Sequence, residues 1–111
     1  MSQDAIIAAV DAVVDTLSDF GRVVEADGMR AIRQQLADAR ASGDGSTFRE
    51  RALEARSRAY GMGGLFDILI APRKGLSAEE ATGLLDARVS AMVREIDPLR
   101  ERGGDHSTGG E

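Results

Sequence analysis

Three glycines and one aspartate near the middle of the chain are the residues whose types and spacing come closest to a ligand site. Gly61, Gly63 and Gly64 fill three of four consecutive positions, and Asp67 follows three residues later. Glycine-rich loops expose backbone amides that can bind phosphate or another anion. A carboxylate beside such a loop could act as an acid or as a recognition group. The chemistry that this pattern suggests is therefore anion or nucleotide binding.

The surrounding sequence argues against that chemistry and favours a structural role for the loop Gly61, Met62, Gly63, Gly64. A phosphate loop needs a closing Gly-Lys-Ser/Thr, and a dinucleotide fingerprint needs a third glycine at a fixed offset before a helix; neither is present. We expect the glycines to provide positive φ angles or a close backbone approach. A carboxylate within an apolar run needs a partner, so we expect Asp67 to accept hydrogen bonds from the loop amides or to pair with an arginine.

Other catalytic groups are scarce in this composition. The chain has no cysteine and a single histidine, His106, in a polar stretch near the end. This excludes disulfides, thiolate zinc sites and cysteine nucleophiles, and it weighs against imidazole catalysis. We therefore expect a protein that is not an enzyme and has no cofactor and no metal. Because no signal peptide and no membrane-length apolar run is present, we expect a cytoplasmic protein with no membrane contact.

Four aspartates form a second candidate site on the first predicted helix. Asp4, Asp11, Asp15 and Asp19 are separated by seven, four and four residues, which places them in one stripe opposite the apolar face. Such a stripe is usually the solvated side of an amphipathic helix. It is also the kind of surface that meets a basic partner, and we predict it as the partner-binding surface.

Charge is distributed unevenly around this stripe. The net charge is −5, with acidic ends and a basic middle that holds most of the thirteen arginines; there is one lysine. Neighbouring helices of opposite sign would attract within one molecule, which is an alternative explanation for the stripe. The negative total and the lack of interleaved aromatic side chains argue against a nucleic-acid partner.

Apolar spacing of three and four residues predicts four main helices. The first is expected to begin at Ser2 and to run loosely through Val23 and Val24, with a break near Asp27-Gly28. The second starts at Met29 and ends before Gly43. A capping box of Thr47 and Glu50 should open the third, and one of Ser77 and Glu80 should open the fourth, which Pro98 should kink or end.

The predicted fold class is all-α. We expect a small bundle or orthogonal array of four main helices, with a buried glycine-rich loop and a short apolar segment, residues 65–70, between helices three and four. That segment should be a short helix or an extended stretch that brings its apolar side chains into the core. Residues 1–101 form the single domain, and residues 102–111 are predicted to be a disordered polar tail.

A family resemblance rests on the glycine segment. The stretch Gly61-Met62-Gly63-Gly64-Leu65-Phe66-Asp67-Ile68 resembles the Gly-Met-Gly-Ser-x-Asn-Asp-Leu signature of a family of small, mostly uncharacterised bacterial helical proteins. Members of that type look like immunity proteins or accessory proteins encoded near toxins. Gly64 stands where the signature has serine and Phe66 where it has asparagine, so two polar groups are missing here.

Three functions follow as expectations. The resemblance implies an immunity protein that binds and neutralises a cognate bacterial toxin, and the acidic helical surface would be its contact. An alternative is a homo-oligomeric structural or regulatory module, such as a homodimer, in which the apolar stripe of helix four pairs with a second copy. A second alternative is a small-ligand or anion-binding protein that uses Tyr60, the loop amides, Asp67 and Arg73.

Overall fold

Four α-helices make up the fold in a computed structural model that describes residues 3–72 and 75–109, with side chains described to residue 100. They are α1 (Gln3–Asp19), α2 (Val23–Ser42), α3 (Gly45–Ser57) and α4 (Ala78–Gly109). A short 3₁₀ turn, Leu65–Asp67, lies between α3 and α4. No strand occurs within the described ranges. The predicted all-α bundle is confirmed.

The four helices pack as a closed bundle in which α1 contacts α2 and α4, and α3 contacts the same two helices. The side chains of α1 that enter the core repeat at spacings of three and four, as the sequence predicted. They are Ile6, Val10, Val13, Val14 and Leu17. The remaining helices add aliphatic side chains and alanines, and Phe48 is the largest of the fully buried side chains.

The break between α1 and α2 lies earlier than the sequence predicted. Gly21 adopts a left-handed conformation with φ of 79°, and the amide of Arg22 donates to the carbonyl of Leu17 over 2.8 Å. These contacts end α1, and α2 then starts at Val23 and continues through Asp27-Gly28. The expected break at Asp27-Gly28 is wrong because the left-handed Gly21 ends α1 first, and Gly28 lies within α2.

Helix starts confirm one predicted cap and correct another. Asp44, not Thr47, is the N-cap of α3: its carboxylate accepts from the Thr47 amide over 3.0 Å and from the Thr47 hydroxyl over 2.7 Å. The predicted Thr47–Glu50 box is therefore wrong, because the chain supplies a better acceptor three residues earlier. The Ser77–Glu80 capping box is confirmed by two reciprocal hydrogen bonds of 2.9 and 3.1 Å. The predicted cap at Ser2 lies outside the described residues.

Helix α4 places its apolar stripe in the core. The buried members are Ala81, Leu85, Val89, Met92, Val93 and Ile96. Pro98 does not end the helix, which continues to Gly109. The predicted domain limit at residue 101 and the disordered tail over 102–111 stay predictions, and residues 110 and 111 lie outside the described part of the chain.

Two capping carboxylates make the stability of the fold depend on pH. The Thr47 hydroxyl and then its amide lower the pKa of Asp44 below the ordinary value of 3.8. The Ser77 amide and then its hydroxyl lower the pKa of Glu80 below 4.5. Since both pKa values are depressed in the folded state, the stabilisation is present when the pH is above the ordinary pKa values. It is lost as the pH falls through the pKa values of the folded state.

We predict that Asp44→Asn, which keeps an acceptor at the cap, will reduce the amount of folding stability that is lost at acid pH. Urea unfolding at about pH 7 and about pH 3 should show a smaller loss of stability for the variant than for the natural chain. Asp38→Asn, in the last turns of α2, is the matched control. It should lose as much stability at acid pH as the natural chain does. If Asp44→Asn loses as much stability at acid pH as the natural chain, the capping role of Asp44 is contradicted.

Candidate protein-binding site

The glycine loop that follows α3 is shaped by both of the expected backbone features. Gly61 and Gly63 have φ angles of 88° and 79°, in the left-handed region. Gly64 has an ordinary φ of −72°, but a Cβ built on it would lie 2.5 Å from the carbonyl oxygen of Tyr60. The first two positions therefore need glycine for conformation, and the third needs it for space.

Asp67 ties this loop together. Its Oδ2 accepts a hydrogen bond from the Gly63 amide over 3.0 Å, as predicted, and the Gly64 amide donates to the Gly61 carbonyl over 3.0 Å. Two of the amides that an anion would need are thus already bound within the loop. The exposed carboxylate of Asp67 would also repel an anion. The geometry therefore supports a structural role for the loop rather than the ligand-binding alternative.

The apolar segment after the loop enters the core only in part. Leu65, Ile68 and Ile70 are buried, whereas the side chain of Leu69 is 81% exposed. The chain leaves the 3₁₀ turn in an extended conformation at Ile68, with φ of −74° and ψ of 128°. Successive side chains of extended backbone point to opposite sides, so burying Ile68 and Ile70 turns Leu69 outward. The expectation that Leu69 joins the core is wrong. Met62, in the loop, is fully exposed.

The aspartate stripe of α1 divides into two pairs with different surroundings. Asp4 pairs with Arg40 over 2.8 Å. Asp11 accepts two hydrogen bonds from Arg33, of 2.8 and 3.3 Å, in a forked arrangement. Both arginines lie on α2, which packs along α1. The explanation by attraction between neighbouring helices therefore holds for these two aspartates, although each exposed pair stabilises the fold only by about 0.2–1 kcal/mol.

The other two aspartates border a cleft between α1 and α4. Asp15 and Asp19 are exposed, and the cleft has a volume of about 390 Å³. Within the described residues, the Asp15 carboxylate has neither a hydrogen-bond nor an ion-pair partner. The cleft is lined by Ala12, Asp15, Thr16, Asp19, Phe20, Leu76, Leu84 and Arg88. It combines carboxylates on one wall with aliphatic surface and a single arginine on the other.

Sequence reasoning missed the α4 side of this cleft. Leu84 belongs to the apolar pattern of α4, but its side chain lies at the edge of the buried stripe and is 36% exposed. Arg88 follows one turn later on the same side of the helix. A leucine at the margin of an apolar stripe with an arginine four residues later is the signal that could have indicated a surface facing α1.

The buried stripe of α4 bears on the homo-oligomer alternative. The side chains that would pair two copies are in contact with α1 and α3 of the same chain, so they are occupied. Self-association through some other surface stays a prediction. Within the described residues, no helix is long and apolar enough to cross a membrane, and no group of three or more potential metal ligands is found.

Comparison with protein-family models, with curated proteins and with solved structures found no match for this chain. The resemblance to toxin-associated helical proteins therefore rests on the glycine segment alone.

The loop geometry makes a prediction about stability. Gly64→Ala would place a Cβ against backbone atoms of Tyr60 and Ala59, which cannot move without disturbing the bonds from Leu65 and Phe66 to the end of α3. We expect a loss of about 1–3 kcal/mol in the free energy of unfolding, measured by urea denaturation. Gly63→Val should cost roughly 1–2 kcal/mol through its left-handed φ.

Gly45→Ala is the control, since a Cβ at this first residue of α3 meets nothing within 4 Å. It should leave the stability unchanged or raise it slightly. A Gly64→Ala variant as stable as the natural chain would contradict the structural role of the loop.

Proposed function

We propose that this protein is a non-enzymatic protein-binding protein whose contact surface is the cleft between α1 and α4. The observation that carries the proposal is the exposed Asp15 carboxylate, without a partner in the described chain, beside a cleft lined by Leu76 and Leu84. A basic side chain could pair with Asp15 while an aliphatic neighbour covers the two leucines. A volume of about 390 Å³ suits a few side chains of a protein partner.

The division of the aspartate stripe narrows the predicted surface. Asp4 and Asp11 already pair with Arg40 and Arg33, so a partner would have to compete for them. Asp15 has no arginine partner among the described residues, so a protein partner would not have to displace one. The net charge of −5 favours fast association with a basic protein, because complementary charge raises encounter rates. A basic partner that approaches α1 near its C-terminal end is therefore the partner that this surface fits best.

The specific form of the proposal is an immunity protein that occludes a cognate bacterial toxin in the cytoplasm. Two features support it: the resemblance of the glycine segment, and an acidic surface of the kind that covers a basic active site. The glycine loop acts in this proposal as a structural element that returns the chain from α3 to α4, and it makes no contact with the toxin.

We predict that Asp15→Lys will weaken the complex with the protein encoded next to this chain by about tenfold or more, because the substitution replaces attraction with repulsion. Surface plasmon resonance should show most of the loss in the association rate, together with a weaker dependence on salt. The folded chain should keep its stability, since Asp15 has no partner to lose among the described residues.

Asp38→Lys is the matched control, because it changes the net charge equally from an exposed position on α2. It should retain nearly full affinity. If both variants bind equally well, the α1–α4 cleft is not the contact surface. If the natural chain forms no complex with the neighbouring gene product, the immunity proposal is wrong.

A further inference from the structure

A second groove flanks α4 on the side away from the α1 cleft. It lies between the extended segment after the 3₁₀ turn and the first turns of α4, and its volume is about 430 Å³. Leu69, which is 81% exposed, and Ile70 form one wall, and Ala78 and Gly83 contribute to the other. The amide of Ile70 donates to the Thr82 hydroxyl over 3.0 Å, which holds the two walls together.

Gly83 keeps the floor of this groove open. It lies in the interior of α4, where glycine is less favourable than every other residue except proline. A Cβ built on Gly83 would meet no atom within 4 Å, so nothing in the packing of the described residues requires glycine there. This is unlike Gly64 and Gly28, where a neighbouring atom occupies the space. The space above Gly83 is therefore available to a side chain from outside.

Two carboxylates give the groove its charge. Glu79 and Asp86 line it, and among the residues that the structure describes no basic side chain does. Oδ1 of Asp86 is shielded from solvent but has no hydrogen-bond partner within the described chain. A shielded acceptor without a donor is unfavourable. Asp86 lines the groove, so an incoming cation can pair with its carboxylate there.

We propose that this groove binds an extended peptide segment of another protein in which an aliphatic side chain lies next to a lysine or arginine. The aliphatic side chain fills the space above Gly83 and covers Leu69, while the cation donates to Asp86. A second copy of this chain fits less well, because a two-fold contact through this surface would bring the same carboxylates of both copies together. The proposal is independent of the α1 cleft and of the immunity function.

The test is a selection from a random peptide library displayed on phage, using the folded full chain as the target. Enriched peptides should contain an aliphatic residue beside lysine or arginine. Their synthetic versions should bind the Gly83→Leu variant at least about tenfold more weakly than the natural chain, because leucine fills the groove. Gly83→Leu should unfold at the same temperature as the natural chain or above it, since leucine is the better helix former.

Gly45→Leu is the matched control, because its Cβ also meets open space but lies at the start of α3. It should bind the peptides as the natural chain does. Asp86→Asn should weaken the binding of the basic peptides about fivefold or more. It should have little effect on the binding of peptides in which glutamine replaces the cationic residue.

Three outcomes would overturn the proposal. The first is that no peptide is enriched. The second is that the enriched peptides bind Gly83→Leu and the natural chain equally. The third is that light scattering shows a dimer of the natural chain that Gly83→Leu converts to a monomer, which would identify the occupant as a second copy. Binding that Asp15→Lys abolishes and Gly83→Leu leaves intact belongs to the α1 cleft and counts as the second outcome.

Discussion

Helix α1 buries its aliphatic face between α2 and α4, and the arrangement of the other elements depends on this contact. Ile6, Val10, Val13 and Leu17 are fully buried there. Each such side chain contributes about 1.5–3 kcal/mol by leaving water, which is far more than a surface ion pair contributes. With α1 held on two sides, its polar stripe is divided: one flank faces the arginines of α2, and the other faces α4 across an open cleft.

The connection from α3 to α4 has to satisfy a different constraint. The chain must reverse closely against the end of α3 and then place Leu65, Ile68 and Ile70 under the bundle. Three features together meet that constraint. Gly61 and Gly63 are left-handed, Gly64 lies against the Tyr60 carbonyl, and the Asp67 carboxylate accepts from the Gly63 amide. The loop that most suggests ligand binding in the sequence therefore uses its amides for hydrogen bonds within the loop. This arrangement of the chain leaves Leu69 exposed on the surface.

Both candidate surfaces lie along the flanks of α4 and share a chemical character. Each combines aliphatic side chains with carboxylates, and each borders the stripe that α4 buries in the core. This shared character is the basis of the proposals that both surfaces bind basic protein partners. The mid-helix Gly83 and the unsatisfied Asp86 oxygen are local imperfections that the fold itself does not explain. Imperfections of this kind are expected where a surface serves binding instead of stability.

The sequence by itself determined the helical class, the buried faces of α1 and α4, the Ser77–Glu80 cap and the structural character of the glycine loop. These features depend on local spacing and on backbone chemistry, which the order of residues expresses directly. It did not determine the break at Gly21 or the cap at Asp44, because in both places two plausible signals compete within a few residues. Only the tertiary structure decided which aspartates of α1 are paired, because Arg33 and Arg40 lie 22 and 36 positions away along the chain. It also decided that Leu69 and Leu84 are exposed and that Gly83 faces open space, since each depends on which neighbouring element packs nearby.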